Sequence, residues 1–156
     1  MLKILIVLIA IFSFSNADTL HVSTPIKSFD KFSYETPHGK KLKIPHTVKT
    51  VVVSYEKDTG KLVNEYLNNK YPPYLAKMNA VFIADIHEMP SIITKLFALP
   101  KMRKYKHTIY LNNKEYFSKF LPPKDEKITI IKFENQKVKS IKYISTAQEL
   151  KKAFEN

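Results

Sequence analysis

Thr50-Val51-Val52-Val53-Ser54-Tyr55, running into Glu56-Lys57-Asp58-Thr59-Gly60, is the stretch whose reading decides the fold. The first six residues are mostly β-branched or apolar and do not alternate with polar ones. A strand with one solvated face alternates, whereas a strand covered on both faces does not. The segment therefore predicts a central strand of an α/β sheet. Beyond it, Lys61 to Lys70 sets Leu62, Val63, Tyr66 and Leu67 at helical spacing. Asp58 or Thr59 is expected to cap that helix, because a short oxygen-bearing side chain can accept its orphan N–H groups.

Outward from this unit, Lys31 to Tyr34 and Lys41 to Ile44 flank Glu35-Thr36-Pro37-His38-Gly39-Lys40 and predict a hairpin. Tyr71-Pro72-Pro73-Tyr74 ends the first helix or bridges to a short segment. Ala80 to Asp85 predicts a second buried strand. Pro90 to Leu99 predicts a helix with Pro100 just past its end, and Ile92, Ile93, Leu96, Phe97 and Leu99 give it a wide apolar face. His107 to Leu111 predicts a third core strand. Lys127 to Glu134 and Lys137 to Ser145 alternate around Asn135-Gln136, a second hairpin. Thr146 and Glu149 have capping-box spacing and open a last helix to about Phe154. This order predicts a mixed α/β domain.

The first residues address the chain. Lys3 precedes an apolar run from Ile4 to Phe14, and Ser15-Asn16-Ala17 supplies small residues for cleavage. That layout is a secretory signal peptide over 1–17, cut after Ala17. The run is too short for a bilayer span, which needs about 20 residues. A periplasmic or secreted protein is expected, with an irregular arm at 18–29 and one domain at 30–156. No cysteine occurs, so disulfides, thiolate metal sites and lipid attachment through a cysteine are excluded. The two glycines, Gly39 and Gly60, cannot build a glycine-rich phosphate loop. The net charge is +12, almost all from lysine, with Arg103 the one arginine. Arginine is the residue suited to bidentate base and phosphate contacts, so this composition and the export signal both argue against nucleic acid. An acidic envelope surface or acidic protein remains as partner for the lysine coat.

The whole order resembles the thioredoxin superfamily, in the longer branch that holds peroxiredoxins and exported TlpA-like thioredoxins. The matching stretches are Phe32-Ser33-Tyr34…His38-Gly39-Lys40, Thr50 to Tyr55 with its helix, and the Lys127–Ser145 hairpin with its terminal helix. Within that branch the chain resembles small exported YtfJ-like proteins. The resemblance implies a thioredoxin-like sandwich: a mixed central sheet, helices on both faces and an N-terminal β-hairpin. It also implies a redox motif after Tyr55, where a helix N-terminus lowers a thiol pKa. Glu56-Lys57-Asp58-Thr59 stands there instead, and none of these forms a thiolate. The family's cis-proline is expected directly before the closing hairpin, where this chain has Glu126 and Lys127.

Three clusters are candidate sites. Glu56, Asp58 and Thr59 are either a small ligand site built on helix amides or plain capping residues. Asp85, His87 and Glu88 follow the carboxyl end of a strand, where open α/β sheets bind ligands. They offer donors for a metal or flavin at Asp85–Met89, with further ligands to be sought among His21, His38, His46 and His107. The spacing matches no metal motif, and no cofactor is expected. Met102, Arg103 and Tyr105 form either a partner-binding edge or a connector, and the exposure of Phe97 and Tyr105 distinguishes the two. A nucleophile at Ser54, Thr59 or Ser91 with His87 as base lacks any elbow motif. The expectation is an exported, non-catalytic binding or accessory protein. The alternatives are an oxidoreductase-associated protein with a metal or flavin at the Asp85–Met89 loop, and a basic binder of envelope or polyanion surfaces.

Overall fold

The computed structural model describes residues 19–156, so the expected signal segment lies outside the described residues. Seven strands form one sheet in the order β2-β1-β5-β4-β3-β6-β7. The centre is β3 (Thr50–Ser54), parallel to β4 (Ala80–Asp85), which is parallel to β5 (Tyr110–Asn112). Antiparallel strands finish both sides. On one side β1 (Tyr34–Glu35) and β2 (Lys41–Leu42) form the N-terminal hairpin, and on the other β6 (Ile128–Glu134) and β7 (Lys137–Ile144) form the closing one.

Every residue of β3 and β4 is buried, as strands without alternation should be. Their side chains still point alternately to opposite faces. Val51, Val53, Val81, Ile83 and Ile131 go to one core, and Val52, Phe82, Ala84, Ile128 and Ile130 to the other. The first core is covered by a 3-10 helix (Ile26–Lys31) and by α5 (Glu115–Phe120). The second is covered by α1 (Lys57–Asn68), α2 (Tyr74–Lys77) and α6 (Ala147–Glu155). Helices on both faces of a mixed sheet make an α/β sandwich with an N-terminal hairpin. Among the described residues no helix is long and apolar enough to cross a membrane.

Local chemistry explains the boundaries. The Asn135-Gln136 turn has φ of 51° and 60°, the left-handed pair that matches the twist of a tight hairpin. Glu149 N–H donates to Thr146 Oγ1 at 3.2 Å and Thr146 N–H returns to Glu149 Oε2 at 3.1 Å, the reciprocal capping of α6.

Several expectations need correction. The cap of α1 is Glu56, not Asp58 or Thr59, because the helix starts earlier than its apolar spacing indicates. The described part of the expected arm is tied down: Leu20, Ile26 and Phe29 are buried in the first core. Helix α5 stands where no element is expected. Nor does Pro100 end its helix. α3 (Ser91–Ile93) continues as a π turn (Thr94–Ala98) into α4 (Leu99–Met102). Leu99 N–H bonds to Thr94 O, which resets the ladder. Pro100 then falls in the first turn of α4, where its missing N–H costs least.

Candidate functional site

The carboxyl ends of β3 and β4 open on a cleft of about 420 Å³. Ser54 and Tyr55 bring β3 to it, Ala84, Asp85 and Ile86 bring β4, and Gly60 and Asn64 bring α1. A Cβ at Gly60 would sit 3.3 Å from Ser54 Oγ, close enough that the serine would have to shift by a few tenths of an ångström. The far wall is the helical segment 91–102, through Ile93, Phe97, Ala98 and Met102, with Met89 and Tyr105 at its two ends. The walls are mainly apolar, and Lys57, Lys61 and Lys101 stand with Glu56 around them.

Of the residues singled out from sequence, Glu56, Asp85, Met102 and Tyr105 share this cleft, whereas Asp58, Thr59, His87, Glu88 and Arg103 do not line it. Thr59 is consumed by capping: its Oγ1 donates to Glu56 O at 3.1 Å and accepts from Glu56 N–H at 3.3 Å. Asp58 is exposed in the first turn of α1, where a carboxylate complements the helix dipole. Glu56 Oε1 accepts from Glu126 N–H at 2.9 Å. Glu126, near the position expected for the family's proline, has φ of 57°. This bond ties the mouth of α1 to the loop before β6.

Asp85 is held from behind the cleft. Its Oδ1 accepts from His87 N–H at 3.0 Å and lies 2.7 Å from His87 Nδ1. Its Oδ2 and the Oδ1 of Asn112, its register partner on β5, are buried without a partner. Burial, against the His87 bonds and the nearby Asn112 amide, holds the Asp85 carboxyl above its usual range. Glu88 is exposed, 3.8 Å from His87 Nε2. Asp85, His87 and Glu88 approach one another here, but among the described residues no group of three or more His, Cys, Asp or Glu is placed to hold a metal. The other four histidines are elsewhere: His46 Nε2 lies 2.9 Å from Asp30 Oδ2, His21 Nδ1 lies 2.8 Å from Val22 O, His107 bonds Asn64, and His38 is exposed between β1 and β2.

Arg103 Nε donates to Pro37 O at 2.9 Å, fastening the end of α4 to the N-terminal hairpin turn. Tyr105 is half-buried and stacks on His107 with ring centres 5.1 Å apart. Phe97 is 65% exposed, and Ile92 and Leu96 beside it are 66% and 64% exposed. The apolar face expected to be core is therefore largely open, but of the two residues that distinguish a partner edge from a connector only Phe97 is exposed. Ile93, Ala98 and Lys101 are cleft residues of this segment that sequence reading did not name as a site. Their one signal was an apolar helix running into a basic aromatic stretch.

No family model matches the chain, and no curated protein matches it. Solved structures do. StoA from Bacillus subtilis aligns at 16% identity and a TM-score of 0.53, over 80% of this chain and 96% of its own. The bacterioferritin comigratory protein of Xanthomonas campestris aligns at 11% identity and a TM-score of 0.54, over 88% and 97%. A SCO1/SenC family lipoprotein from Bacillus anthracis aligns at 11% identity and a TM-score of 0.51, over 88% and 93%. At such identities a likeness speaks for architecture alone. The chain has a thioredoxin-like fold, built without a cysteine.

Proposed function

We propose that this is an exported, non-catalytic binding protein that uses the thioredoxin-like scaffold to hold a small ligand in the cleft at the ends of β3 and β4. The observation that carries the reading is the cleft itself, about 420 Å³ with mainly apolar walls, at the mouth of α1. Binding sites of this kind are concave, apolar and supplied with a few polar groups. The groups that would otherwise suggest chemistry are engaged structurally, Thr59 in capping and Asp85 with His87. No thiolate can form. The lysines around the walls favour a ligand with an apolar body and an anionic end. Export is supported by the apolar segment at Ile4 to Phe14 and the small residues before Asp18.

The test uses anilinonaphthalene sulfonate, an apolar ring system with an anionic group, titrated by fluorescence. Ala98→Trp projects an indole from the cleft wall. It is expected to weaken binding at least about tenfold, the scale of filling a pocket of one ligand's size. Unchanged affinity in that variant, or thiol-independent peroxide decomposition by the wild type, overturns the reading. Protein recovered from its own envelope fraction is expected to begin at Asp18 by intact mass, and a retained Met1 would refute export by cleavage.

A further inference from the structure

The outer face of the segment 91–102 is separate from the cleft. Ile92 and Leu96, four residues apart and so neighbours on one face, are among its most exposed residues and do not line the cavity. Both side chains stand largely in solvent. Between Met89 and Lys114 the chain carries six basic residues, Lys95, Lys101, Arg103, Lys104, Lys106 and Lys114, and no acidic one. A helix that exposes large aliphatic side chains within a purely cationic stretch has the composition of an interfacial element, whose apolar side enters the headgroup boundary while lysines meet anionic lipid.

We propose that this face docks the protein on an anionic lipid surface, with Ile92 and Leu96 entering the interface and Lys95, Lys104 and Lys106 near the headgroups. Charge complementarity selects this occupant. A second copy would bring the same cationic stretch against itself, and like charges facing one another oppose association. Juxtamembrane lysines each add attraction to anionic lipid that falls off within a Debye length, so the interaction is weakened by salt while the aliphatic insertion is not. The inference does not depend on what the cleft binds.

The experiment is sedimentation of the chain from Asp18 onward with phosphatidylglycerol-containing and with pure phosphatidylcholine vesicles. That chain retains all seven strands and both cores. Ile92→Ser with Leu96→Ser removes the exposed aliphatic pair without touching the core. Lys104→Glu with Lys106→Glu inverts charge within the same basic stretch. Lys142→Glu with Lys152→Glu makes the same charge change at the opposite end of the sheet, around a separate pocket. Binding to the anionic vesicles is expected, with at least about a tenfold loss in each of the first two variants, on the scale of one or two buried aliphatic side chains or paired charges. The third variant is expected to lose less than about threefold, since its charges lie beyond the screening length from the docked face. Circular dichroism of all three should match the wild type. Equal binding to both vesicle types, no binding to either, unchanged binding of the serine variant, or equal losses in all three variants overturns the proposal. So does a dimer that the serine changes dissociate while vesicles are ignored.

Discussion

Replacing Phe117 with alanine is expected to cost about 3–5 kcal/mol of stability, the range for removing a fully buried aromatic ring from a packed core. Phe117 is fully buried and forms the hub of an aromatic cluster. Its ring centre lies 5.1 Å from that of Phe32, 6.2 Å from Tyr34, 6.4 Å from Tyr55 and 6.5 Å from Phe29. The partners come from the 3-10 helix and its following turn, β1 and the end of β3, so one ring joins elements far apart in sequence. Removing it leaves a cavity that cannot collapse, because β3 and β1 are fixed by their ladders. For a domain of this size the loss corresponds to a melting temperature lower by roughly 10–20 °C. Lys119→Ala, two residues on and exposed with an ion pair to Glu115 at 3.0 Å, is the control. It is expected to change stability by no more than about 0.5 kcal/mol. Urea unfolding followed by circular dichroism reads both. A loss below about 1 kcal/mol for Phe117→Ala would mean that the ring does not carry the core the structure assigns to it.

That hub sits on an element the sequence did not announce. Helix α5 spans only Glu115–Phe120, less than two turns, and follows Asn112-Asn113-Lys114, which reads as a loop. Two phenylalanines three apart were its whole signature. Ile26 and Phe29 were hidden the same way: their spacing of three suits a 3-10 turn, but the surrounding residues are polar. By contrast β3 and β4 were legible, because a run of β-branched and apolar residues bounded by turn formers has few other stable destinations. The reciprocal cap at Thr146 and the Asn135-Gln136 turn were legible because they are local chemistry, complete within four residues.

The candidate site divides along the same line. Glu56, Asp85, Met102 and Tyr105 were found as residue types at strand ends and helix mouths. The cleft between them was not, because a cavity is the space left where a helix stands away from the sheet, and no pattern encodes that space. Helical periodicity shows which residues share a face. It does not show whether the face is covered, so Ile92, Leu96 and Phe97 read as core and proved open. The π turn that carries the segment past Pro100 was equally unreadable, although such irregularities occur often at functional sites.

Acid is expected to destabilise the protein through His107. The imidazole is buried behind the cleft, with Nε2 2.8 Å from Asn64 Oδ1 and the Tyr105 ring stacked on it. Asn64 Oδ1 is an acceptor, so Nε2 carries the hydrogen and Nδ1 is the site for a second proton. Nδ1 is buried and has no partner. Protonation would place an unpaired charge there, and burial accordingly lowers the His107 pKa to about 4. An unfolded imidazole takes its proton near about 6.5. Between those two values the unfolded chain holds more protons, so stability rises with pH across that window and falls as acid is added. The full loss from pH 7 to pH 4 is of the order of 3 kcal/mol, since each tenfold difference in proton affinity between the folded and unfolded chains is worth about 1.4 kcal/mol. Asp85 acts with the opposite sign: its carboxyl is held above the usual range, so its contribution is present at low pH and lost as pH rises through the raised value. His107→Gln keeps a donor for Asn64 and removes the titration. The difference between wild type and variant therefore isolates His107 from Asp85. Urea midpoints at pH 7, 5.5 and 4 are expected to fall more steeply in the wild type than in the variant. Parallel curves would mean that the imidazole titrates as it does in water, which is incompatible with an unpartnered Nδ1 beneath Tyr105. Because Asn64 and Tyr105 both line the cleft, the same acid step is expected to loosen its wall, and anilinonaphthalene sulfonate affinity should fall with the wild-type stability and not with the variant's.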